Sequence, residues 1–181
     1  MIQSLESLHR AAQERGSRVL AVAAAQDAEV LLAVDAARKL GIATAILVGD
    51  EEQIRAIAQA HGIPLEPHRI LPEPDKVQAC RTAVKLVRDG QADAVMKGIV
   101  DTSIILKAVL DKEIGLRDAP VLSHVALFQV PGYDRLLYVT DAAMNIAPDL
   151  EAKKHIVSNA VKVAHALGNP NPIVACLCAV E

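Results

Sequence analysis

The sequence predicts an α/β fold: a mostly parallel sheet with flanking helices, followed by the start of a second α/β domain that contains an antiparallel hairpin. Three observations predict it. Short apolar runs separated by amphipathic helices recur up to about residue 97, which is the grammar of repeated βα units. Beyond Pro120 two strand-like runs are joined by the short turn Pro131-Gly132-Tyr133-Asp134, too short for a parallel crossover. The 181 residues are also enough to bury a hydrophobic core without disulfides or metals.

Taken in order, Ile2 to Glu14 reads as an amphipathic helix and Val19 to Ala24 as an apolar strand. Val30, Leu31, Val34, Ala37 and Leu40 mark the next helix, stopped by Gly41. Ala43 to Val48 is a strand, then Ile54, Ile57 and Ala58 line the inner face of a helix closed by Gly62 and Pro64. His68 to Leu71 is a short strand, Asp75 to Arg88 a helix, and Ala92 to Met96 another strand. After Pro120, Leu122 to Val130 reads as a long strand and Leu136 to Thr140 as its hairpin partner. Pro148 suits the first turn of the long helix that follows, Asp149 and Glu151 suit its dipole, and Gly168 stops it. The boundary falls near residues 115–121, giving domains 1–120 and 121–181, the second incomplete. Ile173 to Val180 reads as a strand apolar on both faces, hence a central one. Either another subunit or a missing part of the second domain is expected to cover it.

Composition narrows the function. Net charge is −3 with no basic block, so a general nucleic-acid or anionic-membrane surface is not expected. Phe128, Tyr133 and Tyr138 are the only aromatics, too few to stack single-stranded nucleic acid. The 52% hydrophobic content includes 31 alanines, and the longest apolar run is far short of the ~20 residues a membrane helix needs. A cytoplasmic protein is expected. Cys80, Cys176 and Cys178 fit neither a disulfide framework nor a zinc site and are expected as buried small hydrophobes.

The most informative segment runs from Ala94 through Lys97-Gly98 to Asp101-Thr102-Ser103. A strand ends, Lys97-Gly98 turns, and a helix opens at Asp101, Thr102 or Ser103. This places a cation, hydroxyls and free helix amides at the carboxyl end of a parallel strand, where open α/β sheets bind ligands and where phosphate is favoured. Lys107, one turn into the helix, adds a second positive charge. An ordinary capped loop with surface lysines is the alternative, and neither a P-loop nor a GxGxxG is present. Thr140-Asp141 to Asn145 forms a second polar cluster, suited to fixing a loop or contacting a ligand, or simply to capping. Ser123-His124 lies on the first hairpin strand. Adjacent strand residues point to opposite faces and the nucleophile elbow is absent, so no hydrolytic triad is expected.

KGIVDTSIILKAVLDKEIGLR and LSHVALFQVPGYDRLLYVTDAAMNIAPDLEAKK resemble the phosphate butyryltransferase branch of the phosphate acetyl/butyryltransferase family. The likeness is dense from Asp93 to Glu181 and looser, though collinear, before it; TDAAMNIAPDLE is its most specific part. The resemblance implies an acyltransferase that exchanges a butyryl or similar short acyl group between coenzyme A and inorganic phosphate. Coenzyme A is then a substrate, with no cofactor and no metal. It further implies an isocitrate/isopropylmalate dehydrogenase-like fold of two α/β domains with a cleft between them, in a homodimer. By likeness Thr102, Ser103 and Lys107 help hold phosphate, while Lys97, Asp141 and Asn145 line or shape the cleft; no catalytic residue is assigned. Family members continue past this C-terminus, so the chain is expected to be an N-terminal portion, weakly active or inactive. The alternative is a non-catalytic coenzyme A or acyl-phosphate-binding module. An oxidoreductase on the related fold is a weaker reading, since it needs clustered aspartates for a metal.

Overall fold

A computed structural model, which describes residues 1–177, places strand β1 (Arg18–Ala23) inside a parallel sheet with β2 (Ala43–Gly49), β3 (Arg69–Pro72) and β4 (Ala94–Lys97). The order is β3-β2-β1-β4, with Ala21 opposite both Ile46 and Val95. Helices α2 (Ala28–Lys39), α3 (Glu51–His61), α4 (Lys76–Arg88) and α5 (Thr102–Val109) connect and cover the strands. The sheet is buried on both faces because its side chains alternate between two cores. Ala21, Ala23, Ile46 and Val48 pack with Ala79, Cys80, Ala83, Val84 and Ile105 of α4 and α5. Val22, Ala45 and Leu47 pack with Leu31, Val34, Ile54 and Ala58 of α2 and α3. Ala21 and Ala23 of β1 both face the core shared with α4 and α5, where their small side chains let those helices approach.

Local chemistry sets the helix ends. Asp27, Asp50 and Asp75 each accept a hydrogen bond from the backbone N–H three residues on, the usual N-cap geometry. Gly62 closes α3 in the left-handed conformation at φ +63°, as its position after the last apolar residue predicts. After α5, Asp111 anchors the loop that leaves this unit. Its carboxylate accepts from the amides of Ile114 and Glu113 and from Arg81, and these bonds hold its pKa down at about 2.

Residues 12–117 form one compact unit; Met1–Ala11 and the residues from Asp118 form the other. In the latter, the start of α1 (Leu5–Glu14) is tied by Ile2 N–H to the Leu167 carbonyl at 3.0 Å and by Leu5 N–H to Gln129 Oε1 at 2.9 Å. Strands β5 (Val125–Phe128) and β6 (Leu137–Thr140) pair antiparallel, and α6 (Leu150–Ala166) follows.

Five sequence expectations change here. The first hairpin strand begins at Val125 rather than Leu122, because side chains satisfy the preceding backbone: Asn159 Nδ2 donates to the Val121 carbonyl and Asn145 Nδ2 to that of Leu122. Both strands also stop short of the Pro131–Asp134 turn, so the connection runs from Gln129 to Leu136. Pro148 lies just outside α6 instead of in its first turn, since Asp149 is the N-cap and accepts from Ala152 N–H. Ile173 to Leu177 is not a strand; it joins no ladder, and Ile173 and Leu177 are 93% exposed. Cys176 on that segment is exposed, unlike the buried Cys80, because an unpaired segment has no covered face. The rest of that expected strand, with Cys178, lies outside the described residues. Among the described residues no helix is long and apolar enough to cross a membrane.

The two-sided core makes a direct test. Ile54 is fully buried, and truncating such a residue costs about 2–5 kcal/mol. Ile54→Ala is expected to lower the urea midpoint accordingly, whereas the half-exposed Leu32→Ala should move it by less than about 0.5 kcal/mol.

Candidate functional site

At the carboxyl end of the parallel sheet, β1 and β4 continue to hydrogen-bond past their last ladder positions. Gly98 N–H donates to the Ala23 carbonyl at 2.8 Å, and Ile99 N–H to that of Ala24 at 2.9 Å. Ala24 itself turns at φ +54°, a left-handed conformation uncommon for a residue with a side chain. Only glycine fits at position 98, where a Cβ would stand 2.1 Å from the Ala24 carbonyl oxygen and 2.6 Å from that of Ala23. The loop from Lys97 to Val100 is thereby fastened to the fully buried carboxyl end of β1. Sequence reasoning treated Gly98 as a simple turn residue. Its signal was an isolated glycine directly after a strand, which marks close backbone approach.

Lys97 ends β4 with its side chain curled over this loop. Its Nζ donates to the carbonyls of Val100 at 3.0 Å and Gly98 at 3.3 Å, fixing the ammonium beside the residues that open α5. Asp101 is the N-cap of α5, but its side chain makes no cap hydrogen bond, in contrast to the aspartates that cap α2, α3, α4 and α6. The amide three residues past the cap, which the aspartates of α2, α3, α4 and α6 satisfy with a side chain, is Ile104 N–H in α5, and it donates to the Asp101 carbonyl at 3.0 Å; the amides of Thr102 and Ser103 precede any intrahelical acceptor. Thr102, Ser103 and Lys107 are all exposed. Ser103 and Lys107 are four residues apart, so they share a face of α5, and helix side chains lean toward the N-terminus. Lys97, Thr102 and Ser103 thus belong to one loop-and-helix start, while Lys107 lies in the last turn of α5, on the face of Ser103. Beneath them, burial pushes the Cys80 thiol up in pKa while the nearby Lys97 charge opposes it.

The second cluster lies in the other unit, on the loop from β6 to α6. Asp141 accepts from His124 N–H and from Asn145 N–H, each at 2.9 Å, and Asn145 Nδ2 donates to Asp141 and to the Leu122 carbonyl. Burial pushes the Asp141 carboxyl up, yet the hydrogen bonds from His124, Asn145 and Met144 together hold it below the ordinary carboxylate value. These bonds fix the shape of the loop. Ser123 and His124 lie before β5 rather than on it; Ser123 Oγ is held by Asn159 Nδ2 at 2.9 Å, and His124 meets Asp141 through its backbone. No group of three or more metal-ligating side chains is assembled among the described residues.

A profile of the phosphate acetyl/butaryl transferase family matches residues 73–181. The phosphate butyryltransferase of Clostridium acetobutylicum is 48% identical over 181 residues, which are all of this chain and 60% of that protein. The phosphate acetyltransferase of Rhizobium meliloti is 42% identical over 149 residues, 82% of this chain and 47% of that one. Among solved structures, a branched-chain phosphotransacylase from Enterococcus faecalis superposes with a TM-score of 0.69 at 31% identity, covering 83% of this chain and 52% of the other. The chain thus spans about 60% of the length of the butyryltransferase relative it matches throughout.

Two substitutions test this geometry. Gly98→Ala forces a methyl against two backbone carbonyls and should lower stability by about 1–3 kcal/mol, read from the unfolding midpoint. For Asp141, whose folded pKa is depressed, the contribution to stability is full above the unfolded carboxylate value and fades as pH falls through the folded one. Asp141→Asn should therefore flatten the loss of stability below about pH 4, the unperturbed aspartate range.

Proposed function

This chain belongs to the phosphate acetyl/butaryl transferase family, and on that premise we propose that it takes part in exchanging a butyryl or similar short acyl group between coenzyme A and inorganic phosphate. The observation that carries the proposal is the start of α5. There an N-cap aspartate leaves the helix amides without a side-chain partner, two hydroxyls stand exposed, and Lys97 is pinned beside them. Such an end, with its partial positive charge, suits a tetrahedral oxyanion.

In the proposed reaction the coenzyme A sulfur attacks the carbonyl carbon of the acyl phosphate. A C–S bond forms, the bond from carbon to the bridging oxygen breaks, and phosphate leaves with the electron pair; the thiol proton passes to a base. The reverse direction uses phosphate oxygen as the nucleophile on the thioester. Binding phosphate serves both directions, because it orients the nucleophile in one and stabilises the leaving group in the other. Thr102 and Ser103 donate hydroxyl and amide hydrogens to phosphate, and Lys107 adds charge on the Ser103 face of α5. Lys97 holds the loop in place through its two carbonyl contacts and contributes its charge at the same mouth. Asp141 and Asn145 fix the backbone of their own loop, in the unit that contains the hairpin. Coenzyme A is a substrate in this reading, and a homodimer in the cytoplasm is part of the proposal, resting on the family resemblance.

The test is thiol release from butyryl-CoA with and without phosphate, alongside equilibrium binding of butyryl-CoA. Phosphate-dependent release supports the transferase, whereas coenzyme A binding without turnover supports a binding module. A charge-assisted hydrogen bond is worth about 1.5–3 kcal/mol, or roughly 10–150-fold in affinity. Ser103→Ala and Lys107→Ala should accordingly raise the KM for phosphate by about tenfold or more and leave coenzyme A binding nearly unchanged. An unchanged phosphate KM in both variants would remove α5 from the phosphate site.

A further inference from the structure

His68 precedes the edge strand β3 and lies away from the loops discussed above. It is 9% exposed, and its Nδ1 accepts a hydrogen bond from the backbone N–H of Ala45 at 3.1 Å. The β2–β3 ladder begins one position later, at Ile46 opposite Arg69, so the imidazole extends the sheet's hydrogen bonding by one step. Accepting at Nδ1 requires that nitrogen to be unprotonated, which puts the ring hydrogen on Nε2. Nε2 is buried and has no partner among the described residues. Turning the ring over would set a carbon against the Ala45 N–H, so the bond itself fixes the orientation.

We propose that His68 is a proton-operated latch on β3: the neutral ring closes the amino-terminal end of the β2–β3 ladder, and protonation opens it. A solvent proton that binds Nδ1 turns this acceptor into a donor facing another donor, and the Ala45 hydrogen bond is lost. The cation that results is buried, with Nε2–H still unpaired.

The surroundings do little to rescue that cation. On α2, Asp35 is the anion whose field favours it, but its two oxygens are engaged by Arg38 at 2.8 Å and Lys39 at 2.7 Å. The Arg38 charge opposes it. On α3 and the loop before β3, Glu51, Arg55 and Glu66 line a surface depression of about 300 Å³ together with His68. There Glu51 is held by Arg55 at 2.7 Å. Burial, and after it the Arg38 charge, therefore lower the His68 pKa from its ordinary value against the opposing pull of Asp35. A histidine with a lowered folded pKa binds fewer protons folded than open. The closed state is then fully favoured above pH 6.5 and loses ground as pH falls toward the folded value.

The experiment is residue-resolved amide hydrogen exchange on the full chain at pH 7.5 and 5.5, corrected for intrinsic exchange chemistry, with the His68 ring titrated by NMR. For a ring that titrates at about 6.5 when open and stays neutral when closed, opening at Ala45 is expected to rise up to about tenfold over this interval. The same should hold along β3, while amides shared by β1 and β4 hold their protection. His68→Gln, which offers an acceptor that does not titrate, should remove the pH dependence. A ring pKa at or above 6.5, a pH-independent Ala45 amide, or equal loosening across all four strands would overturn the latch. The ring titration and the exchange pattern decide the matter even if the variant fails to fold.

Discussion

The approach of the Lys97–Val100 loop to the end of β1 is the constraint on which the candidate site depends. Two backbone hydrogen bonds, from Gly98 and Ile99 to the carbonyls of Ala23 and Ala24, carry the β1–β4 pairing beyond the ladder. They require a residue without a side chain at 98 and a left-handed turn at Ala24. Ala21 to Ala25 are fully buried between two cores, so the loop is anchored to a packed backbone. Lys97, Thr102 and Ser103 are exposed, but the backbone that carries them is not free to move.

The two units use polar side chains differently. In the parallel unit, polar groups sit at helix ends, as caps on α2, α3 and α4, and the start of α5 departs from that pattern. In the unit that contains the hairpin, Asp141, Asn145 and Asn159 replace missing ladder bonds by reaching backbone groups of residues 121–124. A short two-stranded ribbon offers little intrinsic stability. Side-chain to backbone bonds supply part of what further strands would provide.

Family membership and geometry support the acyl-transfer proposal from different sides. Membership rests on residues 73–181 and on extensive identity to a butyryltransferase. The geometry adds why α5, rather than another helix start, suits the phosphate. Four other N-caps are internally satisfied, and an oxyanion approaching them would compete with a carboxylate already in place. Asp141 and Asn145 already bond within their own loop and to the backbone of Leu122 and His124, which is the loop-fixing role the sequence offered for them.

Most of the parallel unit was legible in the sequence. Period-2 apolar strands, period-3.6 helices and terminal Asp and Gly residues are local signals, and they located β1 to β4 and α2 to α4 to within a few residues. The lysine, hydroxyls and helix start near residue 100 were legible for the same reason, because a strand–turn–helix places its own residues together. What the sequence could not supply was pairing. The truncation of β5, the unpaired course of Ile173 to Leu177, and the exposure of Cys176 depend on which backbone groups find partners elsewhere in the chain. The same holds for the tight contact at Gly98, the engagement of Asp141 and the use of the His68 ring as a ladder acceptor. Hydrophobic periodicity is written locally, whereas hydrogen-bond satisfaction and backbone approach join residues far apart in the chain, 75 positions between Gly98 and Ala23 and 165 between Ile2 and Leu167, and only the tertiary structure decides them.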